Sequence, residues 1–463
     1  MAQLKLDGQL GLRFRMLRPF TCAVAGLAFV AGGLAESSCS AEDWLHWRGP
    51  TGNGTAIEAK PPTEWGQDKN IKWKVPVPGK GSGSPIVVGD RVFVVSAVSG
   101  QQTVNGGPAA EQRGSPGDRS RGGRRGRGGA PLTQLDFKVY CYNRGNGSLI
   151  WEKTAVSGKP HEGTHSTNTF ASASPTSDGK HLYAHFGSRG LFCYTLDGEL
   201  KWKRDFGDMQ TRATFGEGSS PTIVGDLIIV PWDHEGPSAL YALNKMTGET
   251  VWEAKRDEPT NWSTPLIVEH EGKQQVVLNG QNFARAYDLE SGKELWRCDG
   301  QTQRPVASAV ADNGLVFVGS GFRGSFMGAF RLGGSGDIEG SSNVAWTIGE
   351  DTPDIASPLL SGGRLYFHKG KSGILSCVDA QSGEFLFKSQ RLGRLGSIYA
   401  SPVAAGGHIY LSDRAGLTVV IKDAGQLEIV ASNDLGETID ATPAPAGEEL
   451  FIRGSQYLFC IAE

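Results

Sequence analysis

The sequence has few cysteines for its length and none of the groupings that give cysteine a chemical role. Its 463 residues contain seven cysteines, no two of them adjacent, and no Cys-x-x-Cys pair or cysteine–histidine cluster occurs. This distribution argues against a disulfide framework and against a cysteine-based metal site. A Gly-x-Ser-x-Gly elbow and a phosphate-binding glycine loop are also missing, so we expect no standard catalytic signature.

Long amphipathic helical patterns are absent, and the net charge is unevenly spread along the chain. The net charge is −3; residues 1–41 contribute +2 and residues 101–134 contribute +4, which leaves −9 for the remaining body. A mildly acidic body argues against general binding of nucleic acid. We therefore expect no nucleic-acid partner.

Glycine and tryptophan are abundant, with 65 and 11 residues, and they recur in one phrase. Its clearest copy begins at Asp288, turns at Gly292 and ends at Trp296. Asn, Asp and Gly tolerate the backbone angles of a tight turn, so each copy predicts a hairpin whose last strand carries a large aromatic residue. The other copies run from Asn143 to Trp151, Asp197 to Trp202, Asn244 to Trp252 and Asp379 to Phe387.

A second phrase, Ser-Pro or a close variant, precedes each hairpin. Its eight hydroxyl residues are Ser84, Ser174, Ser220, Thr264, Ser308, Ser357, Ser401 and Thr442. Self-similarity at a period of roughly 45 residues indicates a solenoid or a propeller. Cys141, Cys193 and Cys377 occupy a slot two residues before the turn where Ala242 and Ala286 stand in other repeats, which predicts a small buried position.

The two ends of the repeat region complete each other. The eighth repeat stops after its third strand, Tyr457–Ile461, whereas the strand Ile71–Val75 carries a repeat-type Trp and has no repeat of its own. Pairing them would close a ring and remove exposed sheet edges. The sequence therefore predicts an all-β fold over residues 70–463: an eight-bladed β-propeller of four-stranded antiparallel blades, closed by the N-terminal strand that completes the last blade.

The pattern of Ser-Pro, apolar strand and Asp-x-x-x-Gly-(Lys/Glu)-x-x-Trp resembles the pyrroloquinoline-quinone (PQQ) repeat, over about residues 70–463. The chain looks like the non-catalytic propellers akin to the outer-membrane assembly lipoprotein of the Bam complex, and it is similar to secreted PQQ-binding-like repeat proteins of planctomycete-type bacteria. The resemblance implies the fold strongly and a function only weakly.

The quinoprotein alcohol dehydrogenases belong to the same superfamily, and they are the reason to consider PQQ with Ca²⁺ as a cofactor. A close resemblance to these enzymes would imply a vicinal disulfide and a Trp that clamp the quinone, and Glu, Asn and Asp that hold Ca²⁺. This chain has no adjacent cysteines, so we expect no cofactor and keep PQQ with Ca²⁺ as the alternative.

Three segments lie outside the regular repeats. Residues 1–41 carry basic residues followed by an apolar stretch, the pattern of a secretory signal peptide. The chain starts at Met1 or at Met16. An uncleaved membrane anchor and lipid attachment at Cys39 are the alternatives. Residues 42–69 are dense in Pro and Gly and predict an N-terminal loop or cap. Residues 100–134 form a Gly/Arg-rich insertion that we expect to be disordered.

The predicted binding site lies on one face of the ring. In a four-stranded blade, the loop before the first strand and the loop between the second and third strands surround the central channel, and polar residues concentrate there. The candidate ligand-binding residues in these loops are His165, Asn168, Arg189, Glu217, Asp233, His234, Glu235, Trp262, Asn282, Arg323, Lys371 and Arg414.

Two groups within this set suggest chemistry. A carboxylate beside a histidine in Asp233-His234-Glu235 suits a divalent cation or a general base, and the alternative is a hydrophilic loop with local hydrogen bonds. The second group is a set of cations that recur at one slot and suit an anionic ligand or an acidic peptide, or else pair with Glu217, Asp354 and Asp440 across the channel. These cations are Arg189, Arg323, Lys371 and Arg414.

These patterns favour an exported, monomeric, non-enzymatic propeller of the periplasm or extracellular space. It would bind envelope or secreted proteins as an assembly scaffold, and would associate with a membrane only through an uncleaved leader or a lipid anchor. One alternative is an enzyme, either a PQQ- and Ca²⁺-dependent dehydrogenase or a hydrolase that uses residues 233–235. Another is a carbohydrate- or envelope-binding module with exposed aromatic residues, for which the candidates are Trp44, Trp47, Trp232 and Trp262.

Overall fold

The computed structural model describes residues 43–100 and 132–463. The predicted signal peptide, Cys39 and most of the Gly/Arg-rich insertion therefore lie outside the described residues. Two strands come first, β1 (Thr55–Ala56) and β2 (Ile71–Pro76). The described residues contain no helix with the length and hydropathy needed to cross a bilayer.

Eight sheets follow one another along the chain, and we number them as blades 1 to 8. Blade 1 contains β3 (Ile86–Val88), β4 (Arg91–Ser99), β5 (Leu135–Asn143) and β6 (Leu149–Gly158). Blade 2 contains β7 (Thr176–Ser177), β8 (His181–His185), β9 (Leu191–Thr195) and β10 (Leu200–Arg204). Blade 3 contains β11 (Thr222–Val224), β12 (Leu227–Trp232), β13 (Ser238–Asn244) and β14 (Thr250–Arg256).

The next three blades repeat this order, with one extra strand. Blade 4 contains β15 (Leu266–His270), β16 (Lys273–Leu278), β17 (Ala284–Asp288) and β18 (Glu294–Cys298). Blade 5 contains β19 (Val310–Asp312), β20 (Leu315–Ser320), β21 (Phe326–Arg331) and β23 (Val344–Ile348), and the short β22 (Gly336–Asp337) between them pairs with β18 of blade 4. Blade 6 contains β24 (Leu359–Ser361), β25 (Arg364–His368), β26 (Ile374–Asp379) and β27 (Phe385–Arg391).

The last two blades recruit the two N-terminal strands. Blade 7 contains β28 (Val403–Ala405), β29 (His408–Ser412), β30 (Leu417–Lys422) and β31 (Ile429–Asp434), and β1 pairs with β28. Blade 8 contains β32 (Ala444–Ala446), β33 (Glu449–Arg453) and β34 (Tyr457–Ile461), and β2 is its fourth strand. Trp73 lies opposite Cys460 in this antiparallel pair, which confirms the predicted closure of an eight-bladed ring. Two single-turn 3₁₀ helices, Gly187–Arg189 and Arg212–Thr214, lie in loops.

The hydrophobic core lies between neighbouring blades. One cluster of buried residues joins Val92 and Tyr140 of blade 1 to Phe451 of blade 8 and Tyr410 of blade 7. The predicted small buried slot is confirmed, because Cys141, Cys193 and Cys377 are all buried and unoxidised. Buried aliphatic and aromatic contact of this kind is the dominant favourable contribution to folding.

The turn phrase docks each blade onto the next. Five tryptophans of the fourth strands donate an Nε1–H bond of 2.8–3.0 Å to a turn carbonyl of the following blade; the pairs are Trp73–Arg144, Trp151–Leu196, Trp202–Lys245, Trp252–Leu289 and Trp346–Ala380. The same rings cover the turn glycines: a Cβ on Gly248 would lie 2.6 Å from Trp202. Glycine is therefore required both for the positive φ and for the approach of the ring.

A β-bulge directs these aromatic residues towards the neighbouring blade. In all eight blades the pairing of the third and fourth strands skips the residue directly before the aromatic slot. Four of the skipped residues are exposed hydrophobics, namely Ile150, Val251, Leu386 and Val430. A bulge bends the strand and changes the direction of the following side chain. Blade 7 departs from the phrase, because Ala431 fills its aromatic slot.

Candidate binding site at the channel face

The Ser-Pro phrases form a closed circle of hydrogen bonds around the propeller axis. In every blade, the backbone N–H of the Ser or Thr donates to the hydroxyl of the equivalent residue in the next blade, over 2.8–3.3 Å, and Thr442 donates back to Ser84. We name these residues the hydroxyl ring: Ser84, Ser174, Ser220, Thr264, Ser308, Ser357, Ser401 and Thr442. All eight are buried. The phrase therefore links neighbouring blades as well as marking the start of each repeat.

The hydroxyl ring lines a central cavity of about 390 Å³. Above the ring, this cavity is lined by the loops that precede the first strands and by those between the second and third strands, which together form the channel face. Four of the predicted residues meet there: His165, Asn168, Trp262 and Lys371. Three aromatic residues that line the same cavity were not predicted from the sequence, namely Phe215, Phe322 and Tyr399. Their signal was available, because all three occupy the same loops.

The opposite end of the channel is crossed by residues 43–56. Trp44 forms a bridge with Val87 of blade 1, the carbonyl of Leu45 accepts from Ser177 of blade 2, and β1 pairs with blade 7. Between these contacts, Trp47 lines the cavity. The N-terminal segment therefore provides the cavity with a floor.

The mouth of the cavity is bridged by aromatic and polar contacts. Thr167, which precedes blade 2, lies 3.1 Å from the hydroxyl of Tyr399, which precedes blade 7. Arg304 stacks over Phe322 at 3.5 Å from the ring centroid, and its guanidinium also lies 3.1 Å from Asp354. These contacts fix the side chains of the channel face in place before any ligand arrives.

Asp233, His234 and Glu235 are bound to three different partners. The Asp233 carboxylate accepts two bonds from Arg256, of 2.8 and 3.0 Å, and is buried. Burial acts to lower the pKa of Arg256, but the adjacent Asp233 carboxylate raises it above its usual value. His234 contacts the carbonyl of Pro237, and Glu235 accepts from Thr260. The geometry matches the alternative of local hydrogen bonds, since the three side chains do not face a common point.

The predicted basic set is mostly paired. Arg414 lies 2.6 Å from Asp440 and stacks on Tyr399, and Lys371 lies 3.7 Å from Asp354. Arg189 pairs with Asp208 at 2.6 Å instead of with a carboxylate across the channel. Arg323 stacks on Phe322, and its guanidinium has no ion pair among the described residues.

Glu217 and Asn282 have structural contacts. Glu217 accepts hydrogen bonds from the backbone and hydroxyl of Ser188, and burial raises its pKa. With Arg189 and Asp233 it lines a small separate cavity of about 40 Å³. The Asn282 side chain is exposed and donates to the carbonyl of Asp257.

Two of the four proposed exposed aromatics are buried. Trp44 is 0% exposed because it packs against blade 1, and Trp232 is 3% exposed because it packs against Phe206. The expectation that both are exposed is wrong. Trp47 and Trp262 are partly exposed and line the central cavity.

One motif runs against the expectation of a chain without catalytic signatures. Residues 161–165 read His-Glu-Gly-Thr-His, and on a helix this spacing places both histidines on one face, where they can bind zinc. Here the segment is a loop after β6, and His161 contacts the carbonyl of Met209, whereas His165 contacts Thr167. No group of three or more His, Cys, Asp or Glu side chains in the described part of the chain is placed to hold a metal ion.

The residues present do not reproduce the quinone and Ca²⁺ set of the dehydrogenases. The carboxylate of Asp440, which lines the cavity, is engaged by Arg414, and that of Asp354 by Arg304. The described cysteines lie singly in buried strands.

Three comparisons relate this chain to known proteins. The outer membrane protein assembly factor BamB of Alkalilimnicola ehrlichii is 25% identical over 241 residues, which are 52% of this chain and 49% of that relative. The chain thus matches about half the length of that relative.

A solved quinohemoprotein structure has the same fold as this chain. The quinohemoprotein alcohol dehydrogenase of Comamonas testosteroni superposes with a TM-score of 0.59 at 9% identity, over 90% of this chain and 80% of that one. For BamB from Moraxella catarrhalis the TM-score is 0.48 at 13% identity, over 71% of this chain and 90% of that one.

The match to a sequence family is more specific than the similarity to that relative or to the solved structures. The sequence family described as outer membrane protein assembly factor BamB matches residues 135–389, more than half of the chain. The chain belongs to the BamB family of PQQ-repeat propellers.

Proposed function

We propose that this chain is an exported envelope protein that binds protein partners at its channel face and acts as an assembly scaffold. The observation that carries the proposal is membership of a family described as an outer membrane protein assembly factor. A periplasmic or extracellular location and a monomeric state belong to the same proposal. The mass of the mature protein would show whether the predicted signal peptide, residues 1–41, is removed.

The composition of the channel face supports binding of a protein. Energetically dominant residues at protein interfaces are enriched in Trp, Tyr and Arg, and the cavity mouth combines Trp262, Tyr399 and Arg304. Arg414 is fixed between Asp440 and the Tyr399 ring, so less side-chain entropy is lost when a partner docks.

The test is recovery of partners from envelope extract with the mature chain as bait. We expect the double variant Tyr399→Ala/Phe322→Ala to lower recovery of a specific partner by about tenfold or more. The matched control is Lys201→Ala/Arg297→Ala, which removes exposed cations of the outer strands. Single alanines at Arg323, Lys371 and Arg414 then assign the contribution of each cation. Equal recovery with both double variants would remove the channel face from the proposal.

The dehydrogenase alternative is decided by a separate assay. We expect PQQ with Ca²⁺ to leave the melting temperature of the mature chain unchanged and to support no dye reduction with alcohols. A clear thermal shift together with turnover would replace the scaffold function by quinone-dependent catalysis.

A further inference from the structure

The inner end of the central cavity is rich in hydrogen-bond donors. Each member of the hydroxyl ring uses its oxygen to accept a backbone N–H from the preceding blade. Each hydroxyl also carries one proton to donate, and within the described residues none of the eight donates to a protein acceptor. All eight line the same cavity, so their O–H groups are available to a single occupant.

A buried cation lies beside this ring. Arg48 is 1% exposed, and its guanidinium donates to the carbonyls of Pro358 (2.6 Å) and Pro402 (2.8 Å), the residues that directly follow two ring serines. Within the described part of the chain, Arg48 has no carboxylate at ion-pair distance. Burial lowers the pKa of Arg48 to about 9, so the group stays charged at neutral pH. The charge is therefore balanced by backbone carbonyls, including that of Asn53, and by the Trp47 ring, without a carboxylate.

The floor of the cavity connects this cation to the ligand space. The Arg48 guanidinium lies 5.5 Å from the centroid of the Trp47 ring, and Trp47 lines the cavity. A buried charge without a counter-ion is costly. A ring of donors next to an uncompensated cation favours an occupant with negative charge and several acceptor oxygens.

We propose that the central cavity binds a carboxylate on the propeller axis, with hydroxyls of the ring donating to its oxygens and Arg48 supplying the opposite charge from the floor. One uncompensated cation matches a monoanion. The volume of about 390 Å³ lies within the range of small-molecule sites, so the carboxylate can belong to a small organic acid or to the terminus of a chain that enters from the mouth. The site stands whether or not a protein partner docks at the channel face.

Calorimetric titration of the mature chain with sodium acetate, at constant ionic strength and against sodium chloride, tests the site. We expect saturable binding of acetate, together with a change in tryptophan fluorescence that Trp47→Phe removes. Arg48→Met removes the charge but keeps most of the stem, and should weaken binding about tenfold or more, because the carboxylate then loses the attraction of a nearby opposite charge. Arg48→Lys should retain part of the affinity, and Arg297→Met serves as the matched surface control.

A second variant keeps the test decisive if Arg48→Met does not fold. Thr264→Val/Thr442→Val removes two ring hydroxyls at nearly constant shape, and it should also weaken acetate binding. Acetate that binds no better than chloride, or that binds either folded variant as tightly as wild type, would overturn the proposal.

Two peptides distinguish the sources of the carboxylate. A short peptide with a free C-terminus and its amidated twin are added in competition with acetate. Displacement by the free acid alone identifies a chain terminus as the ligand, whereas acetate binding without displacement by either peptide identifies a small acid. Both results support a carboxylate site, and displacement by the amidated twin as efficiently as by the free acid contradicts it.

Discussion

Single residues at the turns decide how closely the blades approach. Gly248 and Gly314 have nearly the same backbone angle, with φ of +74° and +77°, but they differ in surroundings. A Cβ on Gly248 would meet the Trp202 ring, whereas a Cβ on Gly314 would have no heavy atom within 4 Å. Backbone strain is therefore common to both positions, and ring contact is specific to one.

Gly248→Ala should destabilise the protein more than Gly314→Ala. The extra methyl group must displace an interblade tryptophan, and overpacking of this kind costs about 1–3 kcal/mol. Urea unfolding of both variants measures the difference in the free energy of unfolding. An equal loss would mean that the backbone angle alone requires glycine in the turn.

Two carboxylates should give stability contributions with opposite pH dependence. Burial raises the pKa of Glu217, so its favourable contribution is present at low pH and is lost as the pH rises through the raised value. The Ser291 hydroxyl lowers the pKa of Asp288, so its contribution is present above the unfolded pKa and is lost as the pH falls.

The measurement compares Glu217→Gln and Asp288→Asn with wild type by urea unfolding between about pH 3 and pH 7. The stability of wild type relative to Glu217→Gln should fall as the pH rises, and the stability relative to Asp288→Asn should rise. The same sign in both series would contradict the assigned causes.

Among the elements, β2 closes the ring as the fourth strand of blade 8. Trp73 in β2 donates to the carbonyl of Arg144 in blade 1 and is 8% exposed. Trp151 makes the equivalent contact between blades 1 and 2, which follow each other in the sequence. The Trp73 contact lies at the joint between the two ends of the propeller, where Thr442 also donates to Ser84 and Arg144 pairs with Glu449.

Trp73→Ala should therefore open the ring locally. We expect a loss of about 3–5 kcal/mol for a large aromatic truncation, with faster amide hydrogen exchange in β2 and β34 and unchanged exchange in blades 3 to 5. Trp151→Ala is the control and should leave β34 protected. Protection of β34 in Trp73→Ala would show that β2 is not needed for closure.

The elements were predictable because their signals are local and periodic. The Gly turns and the aromatic slot can be read within a single repeat, and the missing strand of the last blade is found by comparing that repeat with the others. The bulge before each aromatic residue was not predicted, because it changes pairing without leaving a distinctive residue type. The burial of Trp44 and Trp232 was also missed, since neither occupies the repeat slot that identifies buried aromatics.

At the scale of the whole molecule, sequence indicated which loops surround the channel but not which side chains remain free. Asp233 is held by Arg256, a residue 23 positions away in the sequence, so its engagement depends on tertiary packing. The Ser-Pro phrase was recognised as a repeat marker, whereas its closed circle of hydrogen bonds is visible only once eight blades surround one axis. Trp47 reaches the cavity, and Arg48 lies buried beside it, only because residues 43–56 cross the channel.

The central claim is that the channel face, with the cavity behind it, is the binding surface of this propeller. Site-specific photocrosslinking in the native envelope tests it most directly, with benzoylphenylalanine placed at Tyr399 or Phe322 in the mouth and at Val251 on an exposed outer strand. We expect the same discrete protein adduct from both mouth positions and none from Val251. An adduct from Val251, with neither mouth position reactive, would contradict it.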